Sequence, residues 1–305
     1  MDVRGLQSMA RTLGRGIGQI MFQNNALSGA IMLFAIAWTS WSAALLTLLC
    51  TVVSTVTARV FRYDIQEIED GLYGFNGALV GIAAGVFLML SWQTVALACA
   101  AAALSTGIAR FFRYQSLLKG YTMPFVLATW FVIQGSQFFL PHLQFYPTAT
   151  DAIHAPVYTQ AFFLSVGQVM FQATWVAGAL FLIAIAMNSR LNALYAVFAA
   201  FLCLFAVVVH GEDYSTFNLG LFGYNAVLCA IALGDRRLAS LLAVIAAILL
   251  SVMLQMLGMR LAFTTLTAPF VIATWVVEIL WTYTKNTPPS MNSPTQAATV
   301  TQAST

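Results

Sequence analysis

The residues best suited to chemistry lie in three short motifs, and each motif occurs twice along the chain. The first two return after 149 residues and the third after 145. The pairs are GQIMFQ at 18–23 with GQVMFQ at 167–172, GLYGFN at 71–76 with GLFGYN at 220–225, and TMPFVLATW at 122–130 with TAPFVIATW at 267–275. Their uncharged amides, hydroxyls and carbonyls suit hydrogen bonding with a small neutral solute. A duplicated apolar chain with matched polar positions predicts a membrane pathway between its halves.

The first motif supplies glutamine amides beside a phenyl ring. If the segment is helical, Gln19, Phe22 and Gln23 share one face, because residues three and four apart are neighbours. The second copy holds Gln168, Phe171 and Gln172. An unpaired amide in hydrocarbon costs about 4–8 kcal/mol, so each amide must bond either another helix or a solute. Their recurrence in both halves favours a place along the pathway.

The second motif combines glycines with an asparagine. Glycine permits tight turns, and an asparagine at a helix break can bond the backbone groups that the break leaves free. We therefore expect Asn76 and Asn225 to have a structural role at the pathway. The pathway candidates of this motif are Phe75 and Tyr224, followed one helical turn later by Leu79 and Leu228. Ordinary helix packing is the alternative for these four residues.

The third motif contains a proline, which has no N–H and is expected to free a carbonyl that can line a polar path. The two prolines are Pro124 and Pro269. Thr122 and Thr267, two residues earlier, place hydroxyls beside those carbonyls, although a bond to their own backbone is the alternative. We expect this symmetric pair of threonines to meet at a two-fold axis near the middle of the membrane.

The composition of the chain places it in a membrane. Its 305 residues are 60% hydrophobic and 8% charged, with a mean hydropathy of +0.84, whereas soluble domains carry about 25% charged residues. The net charge of +3 is spread along the chain, so nucleic acid is not an expected partner. The four cysteines are widely spaced in apolar stretches and are interpreted as buried small hydrophobes. No metal site and no other cofactor is predicted.

The distribution of basic residues predicts the topology. Arg4, Arg11 and Arg15 mark the N-terminus as cytoplasmic, and the linker after the first half has no Lys or Arg. The first half then crosses an odd number of times, which inverts the second. We expect an all-α polytopic membrane protein with two inverted-topology repeats, each of about five transmembrane helices plus one re-entrant helix. The expected segments are an N-terminal cytoplasmic segment at 1–16, a first transmembrane repeat at 17–140, a linker at 141–158, a second transmembrane repeat at 159–284 and a disordered tail at 285–305.

An uncharged path of this kind suits a planar neutral solute such as urea, because an ion would lose its hydration without compensation. The N–H groups of urea can exchange hydrogen bonds along a ladder of oxygens while aromatic faces form a slot, and weak binding at several sites permits conduction. A channel for ammonia, water, glycerol or short amides is the main alternative. An ammonia channel would be expected to pair histidines across the halves, and the three histidines do not pair.

Two further alternatives use carboxylates that lie just before the second motif. A proton-coupled transporter would use Glu67 or Glu212, and an intramembrane hydrolase would use Glu69 or Asp213. A hydrated loop or a helix cap is the plainer interpretation of these residues. We therefore expect a transporter that is not an enzyme.

The paired motifs resemble those of the urea transporter family over nearly all of residues 16–284. The resemblance implies passive, selective urea permeation through a pore in each protomer of a homotrimer. It places Gln19, Phe22, Phe75 and Leu79 at one end of the pore, Gln168, Phe171, Tyr224 and Leu228 at the other, and Thr122 and Thr267 in a constricted middle. Tyr224 departs from the phenylalanine of this slot, and its hydroxyl is expected to narrow the pore or add a hydrogen bond. The compact chain resembles the bacterial members, which implies an inner membrane with lipid around the protein.

Overall fold

Each half of the chain folds into the same succession of helices. The fold is given by a computed structural model that describes residues 3–115, 117–145, 155–211 and 213–286. Within these ranges the chain forms helices and turns but no β-strand. The expectations for Glu212, for the middle of the linker and for the tail beyond Asn286 lie outside the described residues.

In the described part of each half, seven α-helices follow one another in matching order. In the first half they are α1 Val3–Gly18, α2 Ala26–Thr39, α3 Trp41–Val60, α4 Ile65–Glu69, α5 Gly74–Phe87, α6 Trp92–Gln115 and α7 Met123–Phe139. In the second half they are α8 Tyr158–Gly167, α9 Trp175–Asn188, α10 Arg190–His210, α11 Tyr214–Asn218, α12 Tyr224–Leu233, α13 Leu238–Arg260 and α14 Ala268–Asn286. Short 3₁₀ turns at Gln19–Met21 and Gln168–Met170 follow α1 and α8.

Several of these helices are long and apolar enough to cross a bilayer. Among the described residues, α3, α6, α10 and α13 meet this requirement singly. The consecutive helices α1 and α2 meet it as a pair bent by 75°, and α8 and α9 as a pair bent by 70°. The chain is therefore an integral membrane protein with multiple spans. Five spans and one re-entrant helix in each half stay a prediction.

Each bend begins where the backbone adopts the left-handed conformation. The first α-helix ends at Gly18, and after one 3₁₀ turn Phe22 has a φ of 61°. At the equivalent place Phe171 has a φ of 56°. The next helix then starts at a side-chain cap, because Asn25 and Thr174 accept hydrogen bonds from backbone N–H groups of α2 and α9.

These bends change one expectation drawn from the first motif. The expectation that Gln19, Phe22 and Gln23 share one helix face is wrong, because the α-helix stops before them. The same holds for the second copy of the motif. The predicted boundary between the segment at 1–16 and the repeat at 17–140 falls inside α1, so the N-terminal residues continue into the first repeat as one helix.

Close backbone contact holds the second motif of each half against the first helix of that half, α1 or α8. Gly71 and Gly220 have φ values of 76° and 68°, a region that favours glycine. A Cβ atom at Gly71 would lie 2.3 Å from the backbone nitrogen of Gly16, and one at Gly220 would lie 2.4 Å from the carbonyl carbon of Leu164. Glycine is therefore required at these positions for the second motif to approach α1 and α8 so closely.

Hydrogen bonds between the two halves come in equivalent pairs. In one bond of a pair the first half supplies the donor, and in the other bond the second half supplies it. The indole N–H of Trp130 donates to the carbonyl of Thr264 at 2.8 Å, and that of Trp275 donates to the carbonyl of Lys119 at 2.8 Å. Trp130 and Trp275 are equivalent positions, and so are Lys119 and Thr264. An exchange of this kind is what two like surfaces produce when they pack against each other about a two-fold.

The helices α2 and α9 contact each other across the halves in the same reciprocal way. Nδ2 of Asn188, at the end of α9, donates to Oε1 of Gln23 at 2.9 Å. The hydroxyl of Thr39, at the end of α2, donates to Oε1 of Gln172. Each glutamine also donates from Nε2 to a carbonyl two residues earlier. Of the two roles considered for these amides, a bond to another helix or a bond to a solute, Gln23 and Gln172 therefore have the first.

Candidate functional site

The third motif brings two hydroxyls from opposite halves into direct contact. Oγ1 of Thr122 lies 2.6 Å from Oγ1 of Thr267, within hydrogen-bond distance. Both residues are buried, and each stands immediately before the helix that carries its motif, α7 or α14. Thr122 makes no capping hydrogen bond to its own helix through its side chain. The two threonines therefore meet, whereas their place near the middle of the membrane stays a prediction.

The prolines of this motif act differently from what was expected. Pro124 lies at the second residue of α7 and Pro269 at the second residue of α14. The N–H groups of the first helical turn have no acceptor within the helix, so a proline there leaves no carbonyl without its partner. The expectation of carbonyls freed by proline is wrong, because these helices begin at the motif instead of continuing through it.

The asparagines of the second motif hold the starts of these two helices. Oδ1 of Asn76 accepts the backbone N–H of Phe125 at 3.0 Å, and Oδ1 of Asn225 accepts that of Phe270 at 3.2 Å. Both asparagines are buried. Each one satisfies a donor that the first turn of a helix would otherwise leave without a partner. The geometry is the structural role expected for Asn76 and Asn225, and it fixes Thr122 and Thr267 relative to α5 and α12.

The outer glutamines of the first motif bond the loop that precedes the second motif. Nε2 of Gln19 donates to the carbonyl of Asp70 at 3.0 Å, and Nε2 of Gln168 donates to the carbonyl of Leu219 at 3.0 Å. Asp70 and Leu219 are equivalent positions in the two halves. These bonds place the side chains of Gln19 and Gln168 at the junction between the first and second motifs.

A cavity of about 390 Å³ lies on the first-half side of the threonine pair. Four of the residues expected at this end of the pathway line it, together with Asn76 and Pro124. The four are Gln19, Phe22, Phe75 and Thr122. Leu79 does not line this cavity and is fully buried in the apolar core, as is Leu228 in the second half. The cavity therefore brings together residues from all three motifs.

Aromatic rings flank the threonine pair on both sides. The ring of Phe22 meets that of Phe270 edge to face at 6.1 Å between centroids, and Phe171 meets Phe125 at 6.3 Å. These contacts exchange the halves, since Phe22 is equivalent to Phe171 and Phe125 to Phe270. Each end of the site therefore has a ring from one half set against a ring from the other.

The second half carries a polar network that the sequence did not reveal. The hydroxyl of Tyr224 donates to the carbonyl of Leu266 at 2.7 Å. Oε1 of Gln255 accepts hydrogen bonds from Thr265 Oγ1 at 2.7 Å and from Asn225 Nδ2 at 3.1 Å. The hydroxyl of Tyr224 is thus bonded within the protein. The available signal was Gln255 itself, an amide in the otherwise apolar helix α13.

The carboxylate of Glu67 lies in the wall of the cavity, and both of its oxygens are engaged. Oε1 forms an ion pair with Arg113, and Oε2 accepts a hydrogen bond from the hydroxyl of Tyr73 at 2.8 Å. The guanidinium of Arg113 also lies over the ring of Tyr73, 5.3 Å from its centroid. Glu67 is therefore held in a fixed network with Arg113 and Tyr73.

A second carboxylate singled out from the sequence, that of Asp213, caps a helix. Oδ2 of Asp213 accepts the backbone N–H of Thr216 at 3.0 Å at the start of α11. The hydroxyl of Ser215 donates to the same carboxylate and lowers the pKa of Asp213. Within the described ranges, no group of three or more His, Cys, Asp or Glu residues could hold a metal ion. The geometry agrees with the capping interpretation of Asp213.

Comparison with known proteins assigns the whole arrangement to one family. The family model described as "Urea transporter" matches residues 10–282. The chain is 28% identical over 241 residues to urea transporter 1 of Rattus norvegicus, a match that covers 74% of this chain and 62% of that protein. It is 28% identical over 245 residues to urea transporter 1 of Mus musculus, with the same coverage of both chains. The match thus spans less than two thirds of the length of these relatives.

Proposed function

Because the chain belongs to the urea transporter family, we propose that it is a passive, selective urea channel with its pore between the two halves. The observation that carries the proposal is the contact between Thr122 and Thr267, 2.6 Å apart, with the motif-lined cavity beside it. In this proposal the threonine hydroxyls form the narrow middle of the pore. Gln19, Phe22 and Phe75 lie towards one end and Gln168, Phe171 and Tyr224 towards the other, with Leu79 and Leu228 packed behind them.

The reciprocal contacts support two inverted repeats. The bonds of Trp130 and Trp275 and the bonds of Gln23 and Gln172 each repeat with the halves exchanged. In the bonds of Gln23 and Gln172 the start of α2 lies beside the end of α9, and the end of α2 beside the start of α9. A two-fold axis that relates two antiparallel helices in this way gives the two halves opposite directions across the bilayer. The two ends of the pore would then carry equivalent residues, with Thr122 and Thr267 near the axis.

The chemistry of this path suits urea. Each N–H of urea needs an acceptor oxygen when it leaves water, and amide, hydroxyl and backbone oxygens provide one at each step. In this proposal the rings of Phe22 and Phe171 form the apolar faces of a slot for a flat molecule. Charged residues stand in the cavity wall, but the residues assigned to the path itself are uncharged. A charged solute would therefore lose its hydration there without compensation, whereas urea exchanges one neutral hydrogen bond for another.

A passive mechanism agrees with the state of the charged groups at the cavity. A proton carrier must gain and lose a proton within the transport cycle, but both oxygens of Glu67 are committed to Arg113 and Tyr73. The pathway candidates themselves carry no titratable carboxylate or histidine. A channel for another small neutral solute is the second candidate, because the same oxygens would also accept hydrogen bonds from short amides, water or ammonia.

The surface of the bundle fits burial in lipid and contact with further copies of the chain. Trp38 and Trp41, at the junction of α2 and α3, are 68% and 75% exposed, and many further apolar side chains are exposed. Faces of this kind are stable only against lipid or another apolar surface. A homotrimer in a bacterial inner membrane remains a prediction from the resemblance.

Urea flux into proteoliposomes tests the proposal. Vesicles that contain the purified protein are challenged with a urea gradient in stopped-flow light scattering, at pH values on both sides of neutrality, with and without an uncoupler. We expect flux well above that of empty vesicles and independent of pH and uncoupler. Collapse of the flux with the uncoupler would replace the passive mechanism with proton coupling, and flux equal to that of empty vesicles would remove urea as the solute.

A further inference from the structure

The two halves differ at the residue that precedes the threonine pair. Tyr121 stands before Thr122, and Leu266 stands before Thr267. The backbone is the same at both places, since Tyr121 has a φ of 45° and Leu266 a φ of 49°. The side chain therefore differs while the backbone does not, so the two ends of the proposed pore are walled differently.

The ring of Tyr121 completes a cluster of three aromatic rings at the first-half end. It meets Phe22 at 6.1 Å and Phe270 at 5.3 Å between centroids, and Phe22 and Phe270 meet each other at 6.1 Å. Tyr121 and Phe22 also line the cavity. Phe22 and Phe270 form the ring pair already assigned to this end, so Tyr121 adds a third wall to the slot.

The hydroxyl of Tyr121 is held by a carboxylate of the opposite half. It donates to Oε1 of Glu278, on α14, at 2.8 Å, and the same oxygen pairs with Nζ of Lys119 at 2.6 Å. Nζ of Lys119 lies 5.9 Å from the centroid of the tyrosine ring, and the carbonyl of Lys119 accepts the indole N–H of Trp275 at 2.8 Å. The hydroxyl of Tyr121 is therefore held by Glu278, and the backbone next to Tyr121 is held by Trp275.

We propose that Tyr121 sets the largest solute that enters the pore from the first-half end, with Glu278 as the residue that positions its ring. This inference rests on the proposed function, because it assigns a filter to the same pathway. A ring anchored by an ion-paired carboxylate cannot turn aside without breaking that hydrogen bond. Urea passes beside the ring, whereas a urea that carries an N-methyl group must displace it. Leu266 offers no such barrier at the other end.

The ratio of methylurea to urea permeability in proteoliposomes tests this filter. The variants are Tyr121→Leu, which installs the residue of the other half, Tyr121→Phe, which keeps the ring and removes its anchor, and Glu278→Gln. Tyr195→Leu and Tyr195→Phe are matched controls, because the Tyr195 hydroxyl also bonds an acceptor, the carbonyl of Asp235, outside the proposed pore. The ratio does not depend on how much protein is reconstituted, so a loss of stability alone does not move it.

We expect Tyr121→Leu to raise the ratio about tenfold or more, the discrimination that one carbon atom confers in a fitted apolar site. Tyr121→Phe and Glu278→Gln are expected to raise it less, and the Tyr195 variants not at all. If the wild type conducts urea but the methylurea-to-urea ratio is unchanged in Tyr121→Phe, in Glu278→Gln and in any folded Tyr121→Leu, the filter is wrong and the proposed urea channel stands. Absence of urea flux in the wild type would overturn the proposed function and this filter with it.

Discussion

The hydroxyls of Thr122 and Thr267 lie 2.6 Å apart, although 145 residues separate them in the sequence. Each is placed by a buried asparagine that holds the start of its helix, Asn76 for α7 and Asn225 for α14. The contacts around this pair come in equivalent sets in which the two halves are swapped, so the pair lies where the two copies of the motif meet. In the proposed pore, a solute that crosses between the halves exchanges hydrogen bonds with these hydroxyls.

Loss of the asparagine caps is expected to destabilise the protein unequally. Asn76→Ala removes the acceptor for the N–H of Phe125 and should cost about 0.5–2 kcal/mol, as for other helix caps. Asn225→Ala should cost more, because Nδ2 of Asn225 also donates to Gln255, whereas Nδ2 of Asn76 has no partner. Thermal unfolding in detergent measures both. Equal losses for the two alanine variants would contradict this expectation.

The Tyr224 hydroxyl is expected to stabilise the fold. Tyr224→Phe leaves the buried carbonyl of Leu266 without this donor, which should cost about 1–3 kcal/mol. Tyr195→Phe removes a tyrosine hydroxyl from an exposed carbonyl that water can reach, so it should cost less. The melting temperatures of both variants in detergent decide the matter. Equal melting temperatures for Tyr224→Phe and the wild type would show that this hydrogen bond contributes nothing.

Thr129→Val is expected to stabilise the protein or leave its stability unchanged. Oγ1 of Thr129 is buried without a hydrogen-bond partner, and a buried polar group in that state costs about 1–3 kcal/mol. Valine has nearly the same shape and removes the hydroxyl. The test is the change in melting temperature relative to Thr274→Val, since the hydroxyl of Thr274 does have a contact, with Sγ of Cys229 at 3.8 Å. Marked destabilisation by Thr129→Val would indicate a partner for this hydroxyl.

Phe22→Ala is expected to impair the selectivity of the pore more than the stability of the fold. In the proposed pore the ring of Phe22 forms one wall of the slot beside Phe270, so its loss is expected to widen the first-half end. Entry of formamide, methylurea and larger amides relative to urea measures the change. Phe34→Ala is the control, because Phe34 is 58% exposed on α2 and away from the cavity. Unchanged discrimination in Phe22→Ala would remove this ring from the slot.

The duplication made much of the site predictable from the sequence. Equivalent positions in two copies of a motif lie in equivalent surroundings, so the meeting of Thr122 with Thr267 and the capping roles of Asn76 and Asn225 followed from symmetry and side-chain chemistry. The all-helical membrane class followed from composition. These inferences held because they depend on the halves being alike.

The features that sequence reasoning missed depend on local backbone or on contacts between unlike residues. The left-handed backbone at Phe22 ends the first helical segment, and phenylalanine gives no warning of it. The ion pair of Glu67 with Arg113 joins residues of two different helices that are far apart in the chain, so no local sequence pattern predicts it. The contact of Tyr121 with Glu278 has no copy in the other half, so the repeat could not reveal it.

The most direct test of the account is urea flux through the double variant Thr122→Val, Thr267→Val, measured by stopped-flow light scattering in proteoliposomes. Valine keeps the shape of threonine and removes both hydroxyls, so a urea molecule at the middle of the pore loses hydrogen bonds worth about 1.4 kcal/mol in total, which corresponds to a tenfold loss of flux. The control is Thr129→Val, Thr274→Val, which removes two buried hydroxyls seven residues further along the same helices. We predict about a tenfold loss of urea flux for the first double variant and wild-type flux for the control, at equal amounts of reconstituted protein. Wild-type flux through Thr122→Val, Thr267→Val would contradict the central claim that urea passes between these two residues.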